Sequence, residues 1–235
     1  MRFIVLALSV FLSTLSFAES DSVELKSFSM QVFAQTFKPV KAKANGTINL
    51  DQCTNPQDIE LNLWCYRVDT KIKIAEVHQL AKFFEIENTI QSYYIQQDDR
   101  AFWKKTHRNA QFDYQNKTVT TLFEDKQNTL DLNTQVFDEV SYPLQIQKLL
   151  QQGQTQFKLD LVAGDKIKAY NFKVIDKETL FTKAGILETL IVEQTRGSSK
   201  VLIWFAKRWN YLPVQFETYK SNTLQSRVTA TSVTY

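Results

Sequence analysis

The sequence predicts a mainly β fold: a strongly curved antiparallel sheet or incomplete β-barrel (a half-barrel) with one packed helix at about residues 141–152. The dominant hydrophobic period is two. Phe157, Leu159 and Leu161 alternate with Lys158 and Asp160, Tyr170, Phe172 and Val174 with Asn171 and Lys173, and Val214 and Phe216 with Gln215 and Glu217. Such spacing puts apolar side chains on one face of a strand and polar ones on the other, as in an antiparallel sheet covered on one side only. Only five glycines and four prolines occur in 235 residues, and no repeat or Pro/Gly/Ser linker interrupts them. One continuous domain over residues 19–235 is therefore expected.

Ahead of that domain, Met1-Arg2 leads into an apolar run from Phe3 to Leu15 and then Ser16-Phe17-Ala18. A basic start, an apolar middle and small residues before Glu19 predict a secretory signal peptide over residues 1–18, cleaved after Ala18. The apolar run is shorter than the roughly 20 residues a membrane-spanning helix needs, so the mature chain is expected not to span a membrane.

Segments rich in β-branched and aromatic residues predict further strands at Phe28–Phe37, Lys41–Leu50, Ile59–Ile74, Phe83–Gln96, Ala101–Arg108, Ala110–Tyr114, Thr118–Phe123, Ile186–Gln194, Lys200–Phe205 and Ser226–Thr234. Gly164-Asp165, Arg196-Gly197-Ser198 and Lys220-Ser221-Asn222 read as the turns of an antiparallel meander, as do Asp98-Asp99-Arg100, taken as a solvated hairpin tip. Two segments read as helical. Ser141-Tyr142-Pro143 offers a cap and an early proline, Leu144, Ile146, Leu149 and Leu150 give one apolar side, and Gly153 ends the helix in a left-handed residue. Val77–Lys82 is read as a shorter helical turn.

The chain is 43% hydrophobic and 13% aromatic, enough to bury a proper core. Its net charge of +3 comes from mixed acidic and basic residues, which excludes the clustered basic surface of a nucleic-acid binder. The two cysteines, Cys53 and Cys65, would meet an oxidising compartment after export and are expected to form a structural disulfide. Closing a loop of that size stabilises a fold by about 3 kcal/mol on the chain-entropy model.

From about Gln91 onward, the carrying features are Tyr170, Phe172, Val174, Glu178, Thr182, Gly185 and Thr189 in "YNFKVIDKETLFTKAGILETLIVE", and Trp204, Phe205, Tyr211, Leu212, Pro213 and Val214 in "WFAKRWNYLPVQFETY". This stretch resembles the domain of unknown function 3108 family of exported bacterial proteins. The resemblance implies a periplasmic location and a mostly antiparallel β fold, similar to the half-open barrels of periplasmic lipoprotein carriers. It implies no activity, since function does not follow from fold.

No nucleophile elbow, phosphate loop or dinucleotide fingerprint occurs, and His78 and His107 stand in no metal-ligand spacing. No catalytic residue, metal or cofactor is expected. Trp204, Phe205 and Tyr211, with Phe172 and Phe216, are candidates to line a ligand cavity, although aromatics also fill ordinary sheet faces. Phe102, Trp103, Lys104, Lys105 and Arg108 form an aromatic and basic strip, read either as a surface for anionic lipid head groups or as a solvated strand face. Two functional expectations follow: a non-enzymatic carrier or binding module for an apolar envelope ligand, such as a lipid or a lipoprotein acyl chain, or an envelope assembly protein that binds a protein partner through a sheet edge.

Overall fold

The structure, a computed structural model, describes residues 25–38, 41–53, 62–72, 75–101 and 104–235. The expected signal peptide lies outside the described residues. In chain order the strands are β1 (Phe28–Thr36), β2 (Ala42–Gln52), β3 (Leu63–Ile72), β4 (Ala75–Ile86), β5 (Thr89–Ala101), β6 (Lys104–Asp113), β7 (Thr118–Phe123), β8 (Lys126–Asp131) and β9 (Val136–Asp138). Helix α1 (Tyr142–Gln151) follows, and then β10 (Gln156–Ala163), β11 (Lys166–Thr182), β12 (Gly185–Arg196), β13 (Ser199–Ala206), β14 (Leu212–Lys220) and β15 (Thr223–Thr234).

All fifteen strands form one sheet. Its order runs from β8 back through β1, across to β15, and back again to β9. The edge strands β8 and β9 are consecutive in the chain but do not pair with each other, so the sheet curls without closing. Pairing is antiparallel except between β9 and β10, which run parallel.

Several sequence expectations are corrected here. Val77–Lys82 is strand, within β4, because its backbone pairs on both sides with β3 and β5. Phe83–Gln96 is two strands, turned at Glu87, which takes a positive φ of 55°. Asp98-Asp99-Arg100 lies inside β5 rather than at a tip. The two segments expected on either side of Asn109 are one strand, β6.

Helix α1 lies inside the curl. Pro143, Leu144, Gln145, Ile146, Gln147, Lys148 and Leu150 are all buried, so most of its circumference is covered. Gln145 Oε1 accepts from Ile90 N of β5 (2.8 Å), while Gln147 Nε2 and Gln151 Nε2 donate to Asn210 O before β14 (2.9 and 2.8 Å). Lys148 forms an ion pair with Glu85 of β4. Four strands separate β4 from β14 in the sheet order, so one helix reaches both only because the sheet wraps around it.

The helix ends as its sequence predicts. Gly153 adopts φ 78°, its N–H donates to Leu150 O, and Gln154 N donates to Leu149 O (both 3.0 Å). These are the two bonds of a Schellman cap. The start differs from expectation. Ser141 makes no side-chain cap; its hydroxyl donates to the carboxylate of Asp138.

Cys53 and Cys65 are joined in a disulfide with Cα atoms 5.5 Å apart, tying the end of β2 to the neighbouring β3. Pro213 sits at the second position of β14, opposite Phe205 where the ladder is irregular, so its missing N–H falls at a bulge.

Candidate functional site

The helix lies toward the end of the curl where the β4–β5 and β13–β14 turns are, with a polar cleft of about 490 Å³ beside it among Thr89, Gln145, Leu149, Gln154 and Phe157. At the other end, where Gly164-Asp165 and Gly197-Ser198 turn, three further cavities open. One cavity of about 200 Å³ is lined by Ile48, Tyr66, Val68, Val140, Phe216 and Val228, with Gln79, Glu139, Tyr142 and Pro143 completing its wall. A second, of about 250 Å³, lies among Tyr142, Leu161, Tyr170, Gln194 and Val201 and also borders Glu139. A third, of about 450 Å³, occupies the seam left by the unpaired β8 edge, among Arg108, Phe123, Lys126, Asn128, Gly164, Asp165 and Lys168, and again reaches Glu139. The three meet at the turn that precedes α1.

That turn is fixed by Asp138. Its carboxylate is fully buried and accepts from Val140 N (2.8 Å), Ser141 N (2.6 Å), the Ser141 hydroxyl and Ser92 Oγ of β5 (2.7 Å). Four donors on one carboxylate offset the cost of removing it from water. The cluster sets the position of Glu139 and Tyr142 as the floor of the open end. The Tyr142 ring packs 5.8 Å from that of Phe172, and burial raises the Tyr142 hydroxyl pKa, so the group stays neutral.

Register explains the lining. Directly opposed residues in antiparallel strands share a face. One such row crosses seven strands, from Ile48 to Val68, Gln79, Gln97, Arg108, Phe123 and Lys126. Along it the inner surface changes from apolar, through amide, to basic. A facing row of Val228, Phe216, Ile203, Val192 and Val174 is apolar throughout.

Of the aromatic residues expected to line a ligand site, Phe216 stands on the cavity wall. Phe172 is buried and stacks on Phe157, with ring centres 5.6 Å apart. Phe205 is fully buried in the core, and Tyr211 packs against it from the β13–β14 turn at φ 60°. Trp204 is next to the inward Ile203 and turns the other way, its Nε1 donating to Glu178 Oε2 (2.7 Å). Phe102 and Trp103 lie outside the described residues, and Lys104 opens β6. Lys105 is exposed, whereas Arg108, three positions on, belongs to the opposite face of the strand, so the basic run does not form one surface. No local sequence pattern marks Ile48, Tyr66, Val68, Glu139, Tyr142, Lys168 or Val228 as cavity-lining.

The histidines, distant in sequence, share an outer row. Asp69 opposes His78, His78 opposes Asp98, and Asp98 opposes His107. His78 Nδ1 lies 2.7 Å from Asp69 Oδ1 and His107 Nδ1 lies 2.5 Å from Asp98 Oδ1. The hydrogen bond from His107 holds the Asp98 carboxyl below its usual range. Among the described residues no group of three or more His, Cys, Asp or Glu side chains is placed to hold a metal ion, and no helix is long and apolar enough to cross a membrane.

A family model described as protein of unknown function, DUF3108, matches residues 54–225. The chain belongs to that family. The match begins well upstream of Gln91, so the DUF3108 pattern takes in β3 and β4 as well as the strands whose motifs carry the resemblance. No functionally curated protein matches the sequence. Among solved structures, the DUF3108 chain is similar to a β-barrel-like protein of the domain of unknown function DUF1849 from Brucella abortus. That similarity has a TM-score of 0.57 at 10% identity and covers 90% of this chain and 98% of the other. At that identity the similarity concerns the fold.

Proposed function

We propose that the protein is a non-enzymatic carrier or binding module of the bacterial periplasm, holding an apolar chain such as that of a lipid or lipidated protein in the open end of its curl. The observation that carries this reading is the cavity among Ile48, Tyr66, Val68, Phe216 and Val228, apolar and floored by α1. Each of the two cavities beside Tyr142 is smaller than the roughly 300–1,000 Å³ of common ligand sites. They border the same two residues, Glu139 and Tyr142, and so lie side by side on either side of the Tyr142 ring. The signal-like residues 1–18 support a location outside the cytoplasm.

Fluorescence titration with the neutral apolar probe N-phenyl-1-naphthylamine tests this. Saturable binding to the wild-type protein is expected, lost in Val228→Trp, which fills the cavity, while near-UV circular dichroism shows the variant folded. No saturable binding to folded wild-type protein contradicts the reading.

A second reading, capture of a protein partner by strand addition, is favoured by β8. This edge strand is almost wholly exposed and, among the described residues, pairs only with β7. Its polar sequence Lys126-Gln127-Asn128-Thr129 is of the kind that discourages unspecific pairing. In-cell crosslinking from a photoreactive residue at Asn128 that yields a single protein adduct favours this reading over the carrier.

A further inference from the structure

The seam cleft at the open end differs from the apolar cavity beside it. Arg108 and Lys126 reach it from the β6–β8 side, and Lys168 from β11 across the gap, against two lining acids, Glu139 and Asp165. Lys168 pairs in register with Leu161, on the same face as the inward Tyr170. Three cations brought together across an unpaired seam repel one another, and the cleft they enclose favours an anion.

Arg108 is the central group. Its guanidinium lies over the Phe123 ring, 4.7 Å from the centroid. Its Nε is buried and has no hydrogen-bond partner among the described residues. Asp99, two positions from Gln97 on the same face of β5, has its carboxyl pKa raised overall by burial, which outweighs the lowering by the Arg108 charge it feels. Buried donors without partners cost free energy unless something completes them.

From the row that runs from Ile48 through Gln97 to Arg108 and Lys126, we infer that the seam is an anion subsite. It takes the carboxylate or phosphate head of an amphiphile whose chain lies in the apolar cavity. The inference rests on the carrier reading and adds to it the class of head group: anionic, read by a planar guanidinium suited to two-oxygen contacts, with two lysines at the rim. Neutral and cationic amphiphiles are disfavoured.

The test compares displacement of N-phenyl-1-naphthylamine from the mature chain by hexadecanoate and by hexadecanol, whose chains match and whose heads differ in charge. Inorganic phosphate is titrated separately and followed by amide shifts. Hexadecanoate is expected to bind at least tenfold more tightly than hexadecanol. Arg108→Gln is expected to collapse that ratio toward one. Lys168→Gln, at a half-buried position where folding is not at risk, is expected to lower it several-fold. Equal affinity for acid and alcohol overturns the anion subsite and leaves the carrier reading standing. Failure of both to displace the probe, with phosphate shifting amides around Arg108, overturns the amphiphile and makes the seam a site for a free anion. With no response to phosphate either, both readings fall.

Discussion

Ser92 Oγ donates to the buried carboxylate of Asp138 across 2.7 Å, joining the ninth strand to the fifth over 46 positions of sequence. The same carboxylate collects the N–H groups of Val140 and Ser141, so one side chain holds the sheet, the turn and the start of the helix together. Asp138→Ala leaves these donors buried and unpaired. A loss of about 3 kcal/mol or more is expected in urea unfolding, since each orphaned donor costs about 1–3 kcal/mol and the losses overlap. Ser92→Ala removes one partner and is expected to cost about 1–2 kcal/mol.

Lys148 and Glu85 make a further polar link between helix and sheet, with side chains only 2% and 15% exposed. Removing Lys148 takes away the cation that faces Glu85, which keeps the N–H of Leu25 as a donor. Lys148→Met alone is expected to cost about 3–5 kcal/mol, whereas Lys148→Met with Glu85→Leu recovers most of that loss. A double-mutant cycle by thermal unfolding checks it, and additive losses contradict the pairing.

Gly46 is held by space. A Cβ there would stand 2.5 Å from Asp69 O and 2.7 Å from Thr70 Oγ1 of the neighbouring strand. The first is backbone and cannot rotate away. Gly46→Ala is expected to destabilise by about 1–3 kcal/mol through overpacking, while Ala44→Gly, two positions earlier, is expected to cost less than Gly46→Ala. Denaturant midpoints for the two variants decide this.

The Asp98–His107 contact predicts a pH dependence. Because the folded protein depresses the Asp98 pKa, this group adds stability above its unfolded value, about 3.9, and the contribution disappears as pH falls through the lower folded value. Both side chains are over 40% exposed, so solvent screening holds the effect to about 1 kcal/mol or less. Asp98→Asn is expected to lower Tm by a few degrees at pH 6 and to match the wild type near pH 2. A gap that persists unchanged at pH 2 contradicts the assignment.

Where apolar and polar residues alternated strictly, as in Phe157–Leu161, Tyr170–Val174 and Val214–Phe216, the strands were legible. The helix was legible from its proline, its apolar side and its terminal glycine. The β4 segment misled because Val77, Leu80, Ala81 and Phe84 fall at helical spacing among good helix formers, and only pairing with β3 and β5 overrides that preference. Strand β8 carries one apolar residue, Leu130, and β9 is three residues long, so neither gave a periodic signal.

The seam was half legible. Lys168 shares the parity of Tyr170 and Phe172, and Arg108 that of Ala110 and Phe112, which marks both as charges on an inward face. What no local pattern reveals is that β6, β8 and β11 meet, since that follows from how far the sheet curls.

Native mass spectrometry of the protein purified from the cells that make it, with organic extraction of whatever it carries, tests the carrier reading most directly. A single amphiphile at near one-to-one stoichiometry, acidic in its head group and lost in Val228→Trp, is expected. An empty protein that also fails to bind added hexadecanoate would contradict it.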